Sequence, residues 1–300
     1  MPEFTVATRA SALARAQTGW VRGHLSRLLG AEVGEVLVTS EGDVSDAALT
    51  SFGGQGVFVA RVREAVIEGR ADAAVHSMKD LPTAVDDRTV VAAVPPREDT
   101  RDFLVTTHGG LDLLPPGASV GTGSPRRVAY LRRRRPDLKV VAIRGNVDTR
   151  VARVTDGDLD AVVVASAGLR RLGATPPGVP LEADEMLHAV GQGALAVEMR
   201  SDDPRLPAVA ALDDAGTRAE VTAERALLAG LRAGCSAPVA AAATASGDDL
   251  TLQAAVLSLD GSQMYECTMT GPLSDAEGVG RRAAELLIGQ GAAQLLGDMR

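Results

Sequence analysis

Over the first two hundred residues, short apolar runs alternate with longer stretches in which apolar positions recur every three or four residues. Residues 3–8 read as a strand. Residues 11–29 read as a helix with Leu13, Ala16, Trp20 and Leu28 near one face and Gly30 as its stop. A strand near 33–39, a glycine-bearing loop over 40–56, a helix to about Glu68 and strands over 71–77 and 90–95 follow. Such alternation predicts a βα architecture with a largely parallel sheet. PPREDTRD (95–102) reads as a crossing segment. Beyond it lie strands near 103–106, 119–122, 139–143 and 160–166, with helices near 125–134 and 147–155. ALAVEM (194–199) reads as a strand that returns to the first series. Two βα lobes joined by two crossovers make a clamshell, and ligands of such sheets bind at the carboxyl ends of the strands.

The pattern changes near residue 217. TRAE (217–220) resembles a capping box before a helix with Val221, Leu227, Leu228 and Leu231. Three strands follow near 238–245, 250–259 and 263–270, with Asp260-Gly261 as a hairpin turn, and SDAE (274–277) opens a final helix. The expected fold is therefore α/β: two βα lobes plus a small C-terminal α+β domain with a three-stranded antiparallel sheet. The expected domains are 1–97 with 194–214, then 98–193, then 215–300. No internal repeat is visible.

Composition narrows the function. Hydrophobic residues make up 45% and charged residues 23%, as in a globular protein. The net charge of −8 argues against nucleic acid as the main partner. No run of 18 apolar residues suggests a membrane span, and no basic segment precedes an apolar run as in a secretory signal, so a cytoplasmic location is expected. Cys235 and Cys267 give neither a disulfide framework nor zinc spacing, and no metal site is expected.

Four clusters could carry chemistry. VHSMKDLP (75–82) ends a strand in polar residues, and a partly desolvated carboxylate there accepts N–H groups and stabilises positive charge. On composition alone a polar turn is the commoner reading. VGTGSPRRVAYLRRRRP (120–136) runs a strand into Ser124 as N-cap and Pro125 at the first helical position, with Arg126 and Arg127 on the first turn, an arrangement suited to anions. Arg132–Arg135 read as cations complementing the helix end. AIRGNVDTR (142–150) and AGLRRLG (167–173) add Arg144, Arg150, Arg170 and Arg171 after further strands. Three successive strand ends bearing Arg suggest one basic cleft for a polycarboxylate or polyphosphate. LRAGCSAP (231–238) places Cys235 in a loop, whereas Cys267 alternates with Tyr265 and Met269 on one strand face and reads as inert packing.

HSMKD, GTGSPRR, RGNVDTR, AGLRRLG, AVGQGALAVE (189–198) and the AGCSAP loop stand in the order found in porphobilinogen deaminases, and the resemblance runs from TRASALARAQ (8–17) to the C-terminal helix. It implies three domains, the first two similar to periplasmic binding proteins, in a monomeric enzyme that joins four porphobilinogen molecules head to tail with loss of ammonia. Water then releases hydroxymethylbilane. It implies a dipyrromethane cofactor held by a thioether to Cys235. It implies catalytic roles for Asp80, Lys79, Arg9 and Arg144. Cofactor contacts would come from Asp80, Lys79, Ser77, Thr122, Ser124, Arg126, Arg127, Gly145 and Arg150. Substrate contacts would come from Arg9, Ser11, Phe58, Arg144, Arg150, Arg171 and Gln192. Three positions depart from the family pattern: Gln55 stands where the family often has Lys, Gly123 gives GTGS in place of GTSS, and TSEGD carries an insertion before Asp43. The competing class is a non-catalytic anion-binding clamshell, which would not need a third domain with a loop cysteine.

Overall fold

The computed structural model describes residues 3–38, 55–234 and 236–297, with the backbone alone over 55–58. The chain divides into two compact units, Met1–Arg97 with Ala194–Arg218 and Glu98–Gly193 with Ala219–Arg300.

In the first unit, strands β1 (Phe4–Thr8), β2 (Val33–Leu37), β3 (Ala73–Ser77) and β4 (Thr89–Ala93) are joined by β10 (Leu195–Arg200), in the order β2-β1-β3-β10-β4. β1 pairs in parallel with β2 and β3, while β10 runs antiparallel to both its neighbours. Helix α1 (Ala12–Leu29) is capped by Ser11, whose Oγ accepts from Ala14 N, and stops at Gly30 with φ 63°. It buries Gln17, Thr18, Val21 and Leu25 against the sheet, not the face read from the sequence; Trp20 is 41% and Leu28 48% exposed. Both stripes have helical spacing, and Val21 and Leu25 win because they meet Phe4, Val6 and Val33 in one core. Trp20 instead stacks on His24.

The second unit repeats this plan. β5 (Asp102–Thr106), β6 (Ser119–Gly121), β7 (Lys139–Val141), β8 (Ala161–Ala165) and β9 (Gly178–Leu181) lie in the order β7-β6-β8-β5-β9. Here β5 is the antiparallel strand. In each sheet the strand of opposite sense is the one entered at a crossover. Even a detail recurs: Asp72, just before β3, accepts from Thr5 N and Oγ1 on β1, and Asp160, just before β8, accepts from Ser119 N and Oγ on β6. Helices α3 (Pro125–Arg134) and α4 (Val147–Thr155) fall where the sequence predicts them. The segment after β8 is a short helix, α5 (Ser166–Leu172), and together with β9 it was not anticipated.

The C-terminal layer belongs to the same unit. β11 (Val239–Ser246), β12 (Asp249–Leu257) and β13 (Met264–Pro272) form the antiparallel sheet the sequence predicts. Strand pleating explains its attachment. Val239, Ala241, Leu250, Leu252 and Val256 pack with Leu227, Val279, Ala283 and Leu287 of α7 (Ala215–Gly230) and α8 (Ala276–Gln290). The opposite face, with Ala240, Ala255 and Leu257, shares a core with Leu104, Leu131 and Leu187. Gly261 sits on the end of α3, where a Cβ would lie 2.6 Å from Arg133 N, and Arg132 Nη1 donates to Leu259 O at 2.9 Å. Part of the Arg132–Arg135 run thus binds the hairpin as well as ending the helix. α7 begins earlier than TRAE suggests: Asp214 Oδ1 accepts from Thr217 N, so Asp214 is the cap. The last helix is interrupted at Gly291 (φ 114°), and α9 (Ala292–Gly297) follows.

Candidate functional site

The first group of site residues gathers at the carboxyl ends of β1 and β3. These strands are neighbours in the sheet, so Arg9 and the turn after Ser77 come together although they are distant in sequence. The chain leaves β3 through one 3-10 turn, Met78–Asp80, closed by Leu81 N donating to Met78 O. Met78 is buried, and its N–H donates to Ala194 O at 3.0 Å, which pins the turn to the segment leading into β10. Lys79 and Asp80 are half-buried beside it. Burial pushes the Asp80 carboxyl up from its ordinary value, opposed by the charges of Lys79, Arg9 and His76. Ser77 exchanges hydrogen bonds with Gln17, whose Nε2 donates to Ser77 Oγ at 2.9 Å. Ser11 spends its hydroxyl on the helix cap.

The second group lies at the ends of β6, β7 and β8. Thr122 Oγ1 accepts from Ser124 N at 3.2 Å and curls the chain into α3. Ser124 occupies the N-cap position with extended backbone, but its side chain makes no cap bond. Gly123 is required by close approach: a Cβ there would lie 2.7 Å from Ile143 O. That contact gives the GTGS departure a physical reason. Gly145 has φ 101°, and its carbonyl accepts from Arg150 Nε at 2.9 Å. Arg144 is exposed.

Arg126 and Arg127 are buried, 2% and 5% exposed, and both grip Asp102, which is fully buried. Arg126 Nη2 donates to Asp102 Oδ2 at 2.7 Å and its Nη1 to Leu187 O at 2.7 Å. Arg127 donates to Asp102 Oδ1 through Nη2 (2.7 Å) and Nε (3.1 Å), and to Val163 O through Nη1. Gln192 Nε2 completes the set on Asp102 Oδ1 at 2.9 Å. Burial raises the Asp102 carboxyl, but the two guanidinium charges and Gln192 outweigh it and hold the group well below its usual range.

The charge balance of this group decides what it can bind. Two buried guanidiniums share one carboxylate. Among the described residues neither Arg150 nor Arg171 has an ion-pair partner, and burial lowers both, Arg171 to about 10. Arg127's charge adds to the effect on Arg150. Arg171 Nη2 donates to Gly193 O at 2.6 Å, whereas the adjacent Arg170 pairs with Glu98 and Asp99. Among the described residues, nothing hydrogen-bonds to the buried Arg126 Nε. Desolvated cation in excess of carboxylate is costly unless an anion completes it. A ligand that carries several carboxylates fits these residues.

Cys235 and Asp43 lie outside the described residues, as do the side chains of Phe58 and Gln55. Between α7 and β11, Ala237 N donates to Gly234 O, and Gly234 and Ser236 are both exposed. Cys267 packs with Tyr265 and Met269 against the C-terminal core, and burial pushes its thiol up. Among the described residues no His, Cys, Asp and Glu cluster could hold a metal, and no helix is long and apolar enough to cross a membrane.

Three residues, two in the first group and one in the second, were missed in the sequence. Asp102 could have been noticed as an acid at the head of the apolar run FLV. Gln17 is a polar residue in phase with Val21 and Leu25. Glu198 interrupts the apolar run ALAVEM, and its Oε2 lies 2.9 Å from His76 Nε2.

Comparison with known proteins bears on the whole chain. The family model described as porphobilinogen deaminase, dipyromethane cofactor binding domain, matches residues 4–208, and the porphobilinogen deaminase C-terminal domain matches 218–289. Porphobilinogen deaminase 1 of Streptomyces coelicolor is 47% identical, covering 97% of this chain and 96% of its own length. The Acidothermus cellulolyticus porphobilinogen deaminase is 50% identical over 96% of this chain and 89% of its own, and that of Mycobacterium avium 49% identical over 98% and 97%. A non-catalytic anion-binding protein finds no support in these matches. The chain belongs to the porphobilinogen deaminase family, as an enzyme of tetrapyrrole biosynthesis with a dipyrromethane cofactor.

Proposed function

We propose that the two groups of residues divide the work of this polymerisation: Asp80 and its neighbours govern the charge at the reacting pyrroles, and the arginine-lined strand ends hold the carboxylates of the growing chain. The observation that carries the reading is the surplus of desolvated guanidinium in the second group, where Arg126 and Arg127 share Asp102 while Arg150 and Arg171 make no ion pair among the described residues, Glu98 acting on Arg171 only from beyond ion-pair distance. Thr122, Ser124 and Gly145 lie on the same strand-end turns. Arg144, exposed on one of them, and Arg9, beside Asp80, are each suited to meet a carboxylate of incoming porphobilinogen.

Cys235 would hold the dipyrromethane, which when bound supplies the pyrrole nucleophile that each new ring joins. Asp80 accepts pyrrole N–H groups and stabilises positive charge as ammonia departs. Its half-burial strengthens that interaction, because a carboxylate with fewer competing waters acts through a lower effective dielectric. Lys79 and Arg9 counter the burial of Asp80 and keep its carboxylate available. Ser77, tied to Gln17, fixes the start of the turn. The division into 1–97 with 194–214, 98–193 and 215–300 is the domain plan of this reading, and a monomer in the cytoplasm is its cellular form.

Two measurements test it. Intact mass of the purified protein should exceed the sequence mass by two pyrrole units. Asp80→Asn should fold normally and lose about 10²–10³ in turnover, the scale of a preorganised electrostatic contribution. Wild-type turnover in that variant would reduce Asp80 to a turn residue.

A further inference from the structure

The first unit buries a polar network that the mechanism above does not use. Glu198 on β10 is 2% and His76 on β3 is 6% exposed, and Glu198 Oε2 lies 2.9 Å from His76 Nε2. Glu198 Oε1 accepts from Arg63 Nε of helix α2 (Gln55–Ile67) at 2.8 Å and from Thr89 Oγ1 of β4 at 2.7 Å. The sheet register produces the pair: His76 is opposite Ala196, so Glu198 is its diagonal neighbour on the same face of β10. β10 and the residue leading into it therefore touch both the turn and the strand that feeds it, through Ala194 O on Met78 N and through Glu198 on His76.

We propose that Glu198 and His76 are positioning residues for Asp80, the Glu198 carboxylate fixing the ring and Nε2 proton of His76 and the imidazole in turn setting the charge beside the turn that carries Asp80. A carboxylate on one ring nitrogen fixes the tautomer and orientation of an imidazole and favours its cationic form. The charges that bear on Asp80 are those of Lys79, Arg9 and His76. Those that bear on Glu198 are His76 and Arg63. His76 is the group around Asp80 that Glu198 touches, so Glu198 can act on Asp80 through it. A purely structural network would hold β3, β4, β10 and α2 together without affecting Asp80.

The inference rests on the reading of Asp80 as the charge-bearing residue. Its test is the pH profile of single-turnover addition of porphobilinogen to the cofactor-loaded enzyme. Turnover needs ionised Asp80, so rate falls as pH drops through its pKa. Loss of the imidazolium charge raises that pKa and moves the acid limb to higher pH. Glu198→Gln and His76→Gln should each move it by about 0.5 unit or more, and the double variant no further than the larger single shift. His76→Gln keeps an N–H donor for Glu198 and removes only the charge, so it decides the matter if Glu198→Gln does not fold. Variants with lowered melting temperature but a wild-type acid limb would overturn the inference, the pair then being structural. Asp80→Asn is measured alongside. If it is inactive while the limbs of both Gln variants stay put, the positioning role fails alone; if it turns over normally, the Asp80 reading has failed instead.

Discussion

The buried fork around Asp102 gives a sharp test of how this protein holds cation surplus. Asp102→Asn keeps the shape of the side chain and removes its charge. In the native protein the carboxylate accepts four hydrogen bonds, one from Arg126, two from Arg127 and one from Gln192. An amide can offer one oxygen, and its NH2 must face a guanidinium N–H. Removing one partner from a buried ion pair costs about 3–5 kcal/mol, because the remaining charge stays desolvated. For a unit of this size each kcal/mol moves the melting point by about 2–4 °C, so a fall of roughly 10 °C is expected by calorimetry at neutral pH. The pH dependence has a definite sign. A carboxyl held below its ordinary value of 3.8 contributes stability that is fully present above that value and is lost as pH falls through the folded pKa. The advantage of wild type over Asp102→Asn should therefore be constant above about pH 4–5 and shrink below it. A variant within about 1 kcal/mol of wild type at neutral pH would refute the reasoning, since the two guanidiniums would then be tolerated without their counterion.

The remaining predictions are briefer. Cys235→Ser should lose the extra mass of two pyrroles and all activity, while Cys267→Ser should keep both; a Cys235→Ser protein that retained the mass would sink the loop assignment. Arg150→Ala and Arg171→Ala should each pile up at particular rungs of the pyrrole ladder seen by mass spectrometry after brief exposure to porphobilinogen, Arg150→Ala earlier and Arg171→Ala later, and a wild-type ladder in both would make them surface charge. These are cleaner probes than Arg126 or Arg127, whose removal also leaves Asp102 buried and less paired. Gly178→Ala should destabilise the second unit by about 3 kcal/mol or more, because φ is 144° and a Cβ would meet Leu104 O at 2.1 Å; a melting point within a degree or two of wild type would contradict that geometry.

Local pattern was enough to locate most elements. Strand β1, helices α1, α3 and α4, and the three C-terminal strands are written in apolar spacing and in stop signals such as Gly30 and the Asp260-Gly261 turn, because these depend on residues close in sequence. The strand-end motifs were legible for the same reason: HSMKD and GTGSPRR follow apolar runs directly, so sequence order places them at the ends of strands. What faces what was not legible. Helix α1 has two apolar stripes at helical spacing, and only contact with Phe4 and Val33 decided for Val21 and Leu25 over Trp20. The repetition of one strand order in two sheets, with Asp72 on Thr5 matched by Asp160 on Ser119, leaves no recurring sequence because topology is set by pairing partners and not by residue identity. Sequence alone read Arg126 and Arg127 as anion ligands and could not pair them with Asp102, since that carboxylate arrives from β5, a strand that α3 does not adjoin in sequence. Glu198 on His76 is the same case: a pair made by antiparallel register between strands far apart in the chain. The sequence by itself determined most of the elements, the family and the chemical residues at each strand end. Which of those side chains are already spent on a buried partner, and which remain to meet a ligand, was decided only when long-range packing set the desolvation and counter-charge of each group.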